Sequence, residues 1–370
     1  MEASRARLDR LAQAATGEPS VERRLREMIR TRGRISFAEF MDVALYDPVG
    51  GYYARIGAGR DYRTAPQSSP AFGHLIGQLL ARMWRALGSP ERFVVLELGA
   101  GDAALAGDAT SYLRVREPAA SAATRYLALD RFPASAGSPL DVRRVVADAA
   151  RPPLRRFAGC VLANELFDAL PVHRLIVRSG GDGLGELWVV ERGGALAFAL
   201  GELSSPALAG LAGAVRPGQI VDVAPSALAV VSALAGVLER GYVLAIDYGG
   251  TAEELRAAHR MDGTLLAYHH HRAHGRVLDR PGEQDLTAHV DFSALMRAGE
   301  RAGLRTAAFT TQREFVLRLG LERWLARLDP RRLSAAELFN ARARAAELVA
   351  PGGLGKLRVL LQTRDAPDPV

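Results

Sequence analysis

An α/β fold on a mostly parallel sheet, with a helical N-terminal region and inserted β-hairpins, is predicted by three observations. Short, almost wholly apolar runs close on glycine, Asp or Asn, as strands covered on both faces do. Segments with helical spacing separate several of these runs. A stretch over residues 173–203 alternates apolar and polar positions, with turns at Gly180-Gly181-Asp182-Gly183 and Gly193-Gly194, and reads as antiparallel hairpins inserted into the parallel sheet.

In chain order, apolar positions recur at helical spacing over 22–28 and 37–45, and Ser36 is placed to cap the second segment. Turn formers and aromatics from Tyr46-Asp47-Pro48 through Gly50-Gly51-Tyr52-Tyr53 to Gly57 and Gly59 mark a loop. A helix over 71–87 then ends at Gly88 and delivers the chain to a first strand at 93–99. Further strands are expected at 125–130, 142–148, 159–164 and 242–247, each ending in Asp or Asn. Such strand ends converge on the ligand crevice of an open parallel sheet. Helix is expected over 226–240 and 291–302, strand over 304–311, then two helical segments and a last, antiparallel strand over 357–363 that finishes the sheet.

The chain has 370 residues, 48% hydrophobic and 24% charged, which suits one large domain or two and excludes a disordered or fibrous protein. Cys160 is the sole cysteine, so no intrachain disulfide forms, a cysteine-based zinc site is disfavoured and a reducing cytoplasm is the expected setting. The net charge of +7 is carried almost wholly by arginine, Lys356 being the single lysine. Arginines mix with acids, as in Glu22-Arg23-Arg24 and Glu322-Arg323, which reads as solvated faces and implies no nucleic-acid partner. No run of eighteen apolar residues exists, and Met1-Glu2-Ala3-Ser4-Arg5 leads into mixed charge, so neither a membrane span nor secretion is expected. Glu2, Asp9 and Glu18 argue against an organellar transit peptide.

The segment Glu97-Leu98-Gly99-Ala100-Gly101-Asp102-Ala103-Ala104 puts glycines at a strand-to-helix turn, where bare backbone and amide donors can meet a nucleotide-like ligand. Gly99, Gly101 and Ala104 also fit the dinucleotide fingerprint, so an NAD-dependent oxidoreductase stands as one alternative and a purely structural turn as another. Two carboxylates favour S-adenosyl-L-methionine, and a third is compatible with it. Glu97 suits the cofactor's amino group and sulfonium, where a pyrophosphate would be repelled. Asp130 can accept from both ribose hydroxyls, and Asp148 from the adenine amino group; for each, a helix cap or a solvated strand end is the alternative.

The run Ala163-Asn164-Glu165-Leu166-Phe167-Asp168-Ala169-Leu170-Pro171 follows the fourth strand and is the candidate catalytic loop. Glu165 and Asp168 can grip a guanidinium, align one nitrogen and help remove its proton. A helix start capped by Asn164 is the alternative. Tyr268-His269-His270-His271 with His274 invites a metal reading, with His270 and His274 on one helical face. No carboxylates are packed beside it in sequence, so no metal is assigned.

These blocks together resemble the MidA-like S-adenosyl-L-methionine-dependent methyltransferases, which include the mitochondrial complex I assembly factor that acts as a protein-arginine methyltransferase. The resemblance spans most of the chain and rests on Gly50-Gly51-Tyr52-Tyr53, Asp61-Tyr62-Arg63-Thr64-Ala65-Pro66, Phe72-Gly73, 97–101, 164–171, Ile246-Asp247-Tyr248-Gly249, and 281–292 from Pro281 to Phe292. It implies a Rossmann-like class I methyltransferase sheet of seven strands, S-adenosyl-L-methionine as donor, and a protein substrate. It further implies a helical region 1–90 carrying an active-site loop and a core over 91–370 with C-terminal helical elaboration. Asn164, Glu165, Asp168 and His289 are the expected catalytic residues; Glu97, Gly99, Ala100, Gly101, Asp130, Asp148 and Thr64 are expected at the cofactor, with residues 61–64 closing the pocket. The histidine segment 268–274 as a loop towards the active site, touching substrate or backbone, belongs to the same expectation, and a homodimer is expected besides. Asp102-Ala103-Ala104 stands where the family has Arg-Gly-Thr, Asp130 where it has Glu, Gln67-Ser68-Ser69 where it has Glu-Ile-Ser, and Gly355-Lys356 where it has Phe-Lys. A client-binding assembly factor without catalysis is the alternative these departures raise.

Overall fold

The computed structural model describes residues 20–55, 64–133, 137–178 and 183–369. The chain forms two compact units from interleaved stretches. The described parts of one lie within Met1–Asp61, Leu170–Ala224 and Arg256–Ala288; those of the other lie within Tyr62–Ala169, Pro225–Leu255 and His289–Val370. The sequence division at residue 90 follows chain order, whereas these units interleave.

The second unit holds a sheet of seven strands: β1 (Phe93–Leu98), β2 (Thr124–Asp130), β3 (Val142–Val146), β4 (Phe157–Asn164), β5 (Leu238–Asp247), β6 (Arg305–Thr311) and β7 (Arg358–Arg364). Their spatial order is β6-β7-β5-β4-β1-β2-β3. β1 to β5 run parallel to one another. β7 is antiparallel to both β5 and β6, so the last strand is inserted between two others and does not finish the sheet at its edge. Every residue of β1 is buried, which is why it reads in sequence as a continuous apolar run.

The helix Pro70–Ala86 is started by Ser69, whose side chain accepts from the Ala71 amide, and buries Phe72, Leu75, Ile76, Leu79, Leu80 and Met83. It lies so close to the helix Ala104–Arg116 that a Cβ on Gly73 would come within 2.3 Å of the Asp108 Cβ. Glycine is therefore required there. Asp291 caps the helix Phe292–Arg301. Helix is confined to Pro225–Val237, because Leu238 already belongs to β5. Three helices, Gln312–Leu319, Leu321–Ala326 and Ala335–Glu347, replace the two expected between the last strands.

In the first unit, Ser36 and Glu39 form a reciprocal capping box on the helix Phe37–Tyr46. The hairpin strands are not inserted into the parallel sheet. His173–Val177, Leu184–Arg192 and Ala195–Gly201 form an antiparallel sheet with Ile35–Ser36 and Ile220–Val223. Alternation identified them as strands but carries no record of a partner as remote as the Ile35↔Val189 pairing. The histidine segment is likewise a hairpin and not a helix: Leu266–His269 pairs with Arg272–His274, and His270 and His271 make the turn at φ 49° and 62°. Its other edge pairs with Asp285–Thr287. The expected turn at 180–182, the loop at 57–59 and the start of the chain lie outside the described residues. Among the described residues, no helix is long and apolar enough to cross a membrane.

Candidate active site

Chain order reverses in the seven-stranded sheet between β1 and β4, and a parallel sheet opens its ligand crevice beyond the strand ends at such a point. There the glycine turn leaving β1 meets the loop leaving β4: a Cβ on Gly99, at φ 64°, would lie 2.9 Å from Leu166 Cδ1. Gly101 follows at φ 51° and Ala103 at φ 62°, the latter opening the helix Ala104–Arg116. Several of the turn's amides, expected from sequence as free donors, are engaged within the protein. Ala100 donates to the Leu129 carbonyl at 3.1 Å, Gly101 to Asp130 Oδ2 at 2.9 Å and Ala104 to Asp102 Oδ1 at 3.0 Å. With those donors spent, the turn suits a nucleoside without a pyrophosphate better than a dinucleotide.

Asp130, at the end of β2, also accepts from the Phe132 amide at 3.0 Å; a carboxylate has about four acceptor positions, which leaves capacity for ribose hydroxyls. Arg144 on β3 braces the turn from outside, donating to the carbonyls of Gly101 at 2.9 Å and Asp102 at 2.7 Å. Glu97 is buried at the end of β1 and accepts from the Tyr126 hydroxyl at 2.8 Å. Burial pushes its carboxyl up to about 8 against that hydrogen bond, and the charges of Asp102 and Asp130 push the same way. Acids so grouped fit a cationic amino or sulfonium centre. Asp148 is exposed two residues beyond β3 and does not end a strand; its Oδ1 accepts from the Ala150 amide at 2.7 Å within a turn.

The loop after β4 is held from two sides. Glu165 occupies a left-handed conformation at φ 51°, and its amide extends the ladder to β5 by one bond, to the Ile246 carbonyl at 2.8 Å. Its Oε1 accepts from the Ala65 amide at 3.0 Å and Asn164 Nδ2 at 3.1 Å. Glu165 Oε2 and Asn164 Oδ1 are buried and have no hydrogen-bond partner among the described residues, as does Ser68 Oγ on the turn of helix Ala65–Ser68. Although part of the Glu165 residue is exposed, its carboxylate is enclosed, and burial pushes it up to about 8. Asp168 is buried in the same loop and its charge raises Glu165 further.

Thr64 precedes the helix Ala65–Ser68, its carbonyl accepting from the Ser68 amide at 2.9 Å; residues 61–63, expected to close the pocket with it, lie outside the described residues. His289 is half-buried, and the next residue, Val290, donates its amide to the Tyr248 carbonyl at 2.8 Å, which sets the His289 backbone beside the end of β5. Thus Glu97, Gly99, Ala100, Gly101 and Asp130 gather at one turn, and Asn164, Glu165 and Asp168 at the facing loop. Among the described residues, no cluster of three or more His, Cys, Asp or Glu is arranged to hold a metal.

Three residues of this neighbourhood were given no site role from sequence. Asp247 is fully buried and accepts from the amides of Leu166 at 3.1 Å, Phe167 at 2.7 Å and Asp168 at 3.3 Å, and through its other oxygen from Tyr248 at 2.8 Å. Its position at a strand end was the available signal. Tyr126 and Arg144 lie inside strands, where nothing in the pattern distinguishes them.

The family described as "Putative S-adenosyl-L-methionine-dependent methyltransferase" matches residues 75–310. Among relatives, the Drosophila melanogaster mitochondrial protein arginine methyltransferase NDUFAF7 homolog is 29% identical over 79% of this chain and 72% of its own length. The human mitochondrial protein arginine methyltransferase NDUFAF7 is 29% identical over 75% of this chain and 68% of its own. A crystal structure of a candidate methyl transferase from Burkholderia thailandensis, bound to S-adenosyl-homocysteine, superposes with a TM-score of 0.83 at 30% identity, covering 97% of this chain and 95% of that one. With a seven-stranded sheet of this order and a buried acidic turn at its switch point, the chain belongs to the S-adenosyl-L-methionine-dependent methyltransferase family.

Proposed function

We propose that the chain methylates a nitrogen of an arginine side chain in a partner protein. The observation that carries this reading is the pair of enclosed, unpartnered acceptors Glu165 Oε2 and Asn164 Oδ1. Buried acceptors without donors are costly, and a ligand rich in N–H groups removes the cost. A guanidinium offers five such donors in a rigid fork and stays charged at any relevant pH. The names of the two NDUFAF7 relatives support the same substrate class.

When bound, S-adenosyl-L-methionine supplies an electrophilic methyl carried on a sulfonium. Glu97 and Asp130 are the residues that would hold its amino acid and ribose portions, with the bare backbone of Gly99 and Gly101 admitting it closely. Glu165 Oε2 accepts one guanidinium N–H and fixes the rotation of the planar group, so that a second nitrogen can meet the methyl in line. Asp168 would supply further negative charge beside it, stabilising the cationic guanidinium while its nitrogen takes the methyl. The proton shed by the methylated nitrogen passes to a carboxylate of this loop.

The test supplies methyl-labelled S-adenosyl-L-methionine to the enzyme in a cell lysate and locates the label by mass spectrometry. Label on arginine of a discrete protein, lost with Glu165→Gln, is the expected result. Label on another residue type or on small molecules defeats the arginine reading.

A further inference from the structure

We infer that Asp247 is a positioning residue: its carboxylate, clasping the backbone amides of Leu166, Phe167 and Asp168, holds Glu165 in the left-handed turn that starts the loop. The inference rests on reading this loop as the methyl-accepting site. The ladder between β4 and β5 ends with the Glu165 amide on the Ile246 carbonyl. At the next residue the chain must leave the sheet, and three consecutive amides lose their strand partners. One oxygen of Asp247 takes all three, while its other oxygen takes the amide of Tyr248. The same carboxylate therefore ties the loop to the end of β5.

An anion is an expensive tie in a buried place. Burial raises the Asp247 carboxyl against the pull of the Phe167 amide, and the charge of Glu165 adds to the rise. A neutral Asn could offer three amides one carbonyl oxygen, but its NH2 would then face the Tyr248 amide, donor against donor. The carboxylate is the one side chain of this size that accepts on both edges. The charge of Glu165 is felt by Asp247 and that of Asp168 by Glu165, while the helix Ala65–Ser68 contributes the Ala65 amide and no charge. Asp247 touches neither donor nor acceptor atoms in this scheme, and acts through the loop.

Asp247→Asn tests the inference in the full chain. Expected are amide exchange at Leu166, Phe167 and Asp168 faster by about tenfold or more, with Val161 and Leu162 of β4 unchanged. S-adenosyl-homocysteine binding should stay within about threefold, while methyl transfer to lysate protein falls by roughly thirtyfold or more. Unchanged exchange in the loop, or full transfer from a loosened loop, overturns the inference. Should this variant fail to fold, the wild-type amide proton resonances of the three residues decide: one shared titration midpoint supports a common anchor, and separate midpoints or none overturn it. Label on a residue other than arginine, together with accelerated loop exchange, removes the arginine reading and leaves the anchor standing.

Discussion

Carboxylates are buried in both units, but they are buried differently. In the first unit Asp222 accepts from Arg174 Nε at 3.0 Å and from the Thr264 and Leu265 amides at 2.6 and 3.1 Å. Burial pushes Asp47 up, but the amides of Gly50 and Val49 and the Arg24 guanidinium outweigh it and leave it below the usual range. Glu186 is likewise lowered against burial, by His173 and Ser204. At the strand ends of the parallel sheet the balance reverses: Glu97, Glu165 and Asp247 are all raised by burial. The first set has its cations and donors built in and holds structure. The second set is short of positive charge, and the sulfonium and the guanidinium of the proposed reaction would bring it.

The sharpest way to break this contrast is Glu165→Gln. The variant keeps the shape of the loop and removes the anion, and transfer should fall about a hundredfold or more with S-adenosyl-homocysteine binding little changed. Full activity in label-transfer assays would mean the unpartnered oxygen serves no substrate. On the structural side, Asp222→Ala strands a buried Arg174 and should cost roughly 3–5 kcal/mol of stability, seen in denaturant unfolding. A loss under about 1 kcal/mol would place Asp222 with the ligand-directed acids instead.

The pH dependence of stability has opposite signs in the two regions. Glu97 has its carboxyl at about 8 when folded, above the ordinary 4.5, so the folded state binds the extra proton and this contribution is lost as pH rises through about 8. Glu97→Gln should therefore gain stability relative to wild type between pH 5 and 9, by a few kcal/mol at most at about 1.4 per unit of displacement. Asp47 and Glu186, lowered on folding, contribute stability above their ordinary values that is lost as pH falls. Unfolding midpoints across pH, without added S-adenosyl-L-methionine, check both signs. A Glu97→Gln curve parallel to wild type would show Glu97 already ionised in the free enzyme.

Much of this was legible in the sequence where one residue's surroundings decide its form. β1 reads as a strand because both its faces are covered, and Ser36 announces the helix it caps. Glu97 and Glu165 were found because strand ends in a parallel sheet converge. What escaped depends on distant pairing. Leu184–Arg192 alternates like any half-buried strand, and nothing local tells that it meets Ile35–Ser36. Asp247 was placed at the crevice by its strand end, but its role escaped for a related reason: in sequence an acid that accepts from its own chain looks like one awaiting a ligand.

The smallest effect concerns the first unit's hairpin tip, where His270 and His271 both take left-handed conformations in a two-residue turn. Such turns twist with the strands they join and favour Asn-Gly, since a side chain at positive φ costs energy that glycine avoids. Both histidines are exposed, so replacing them removes little packing. His270→Asn with His271→Gly should raise the unfolding midpoint by a few degrees, corresponding to about 1 kcal/mol. A lowered midpoint would mean that contacts of the two imidazoles hold the turn against its own backbone preference. Backbone strain in this unit would then be offset by side chains within it, whereas the strain at Glu165 is held by Asp247 beside acceptors that await a ligand.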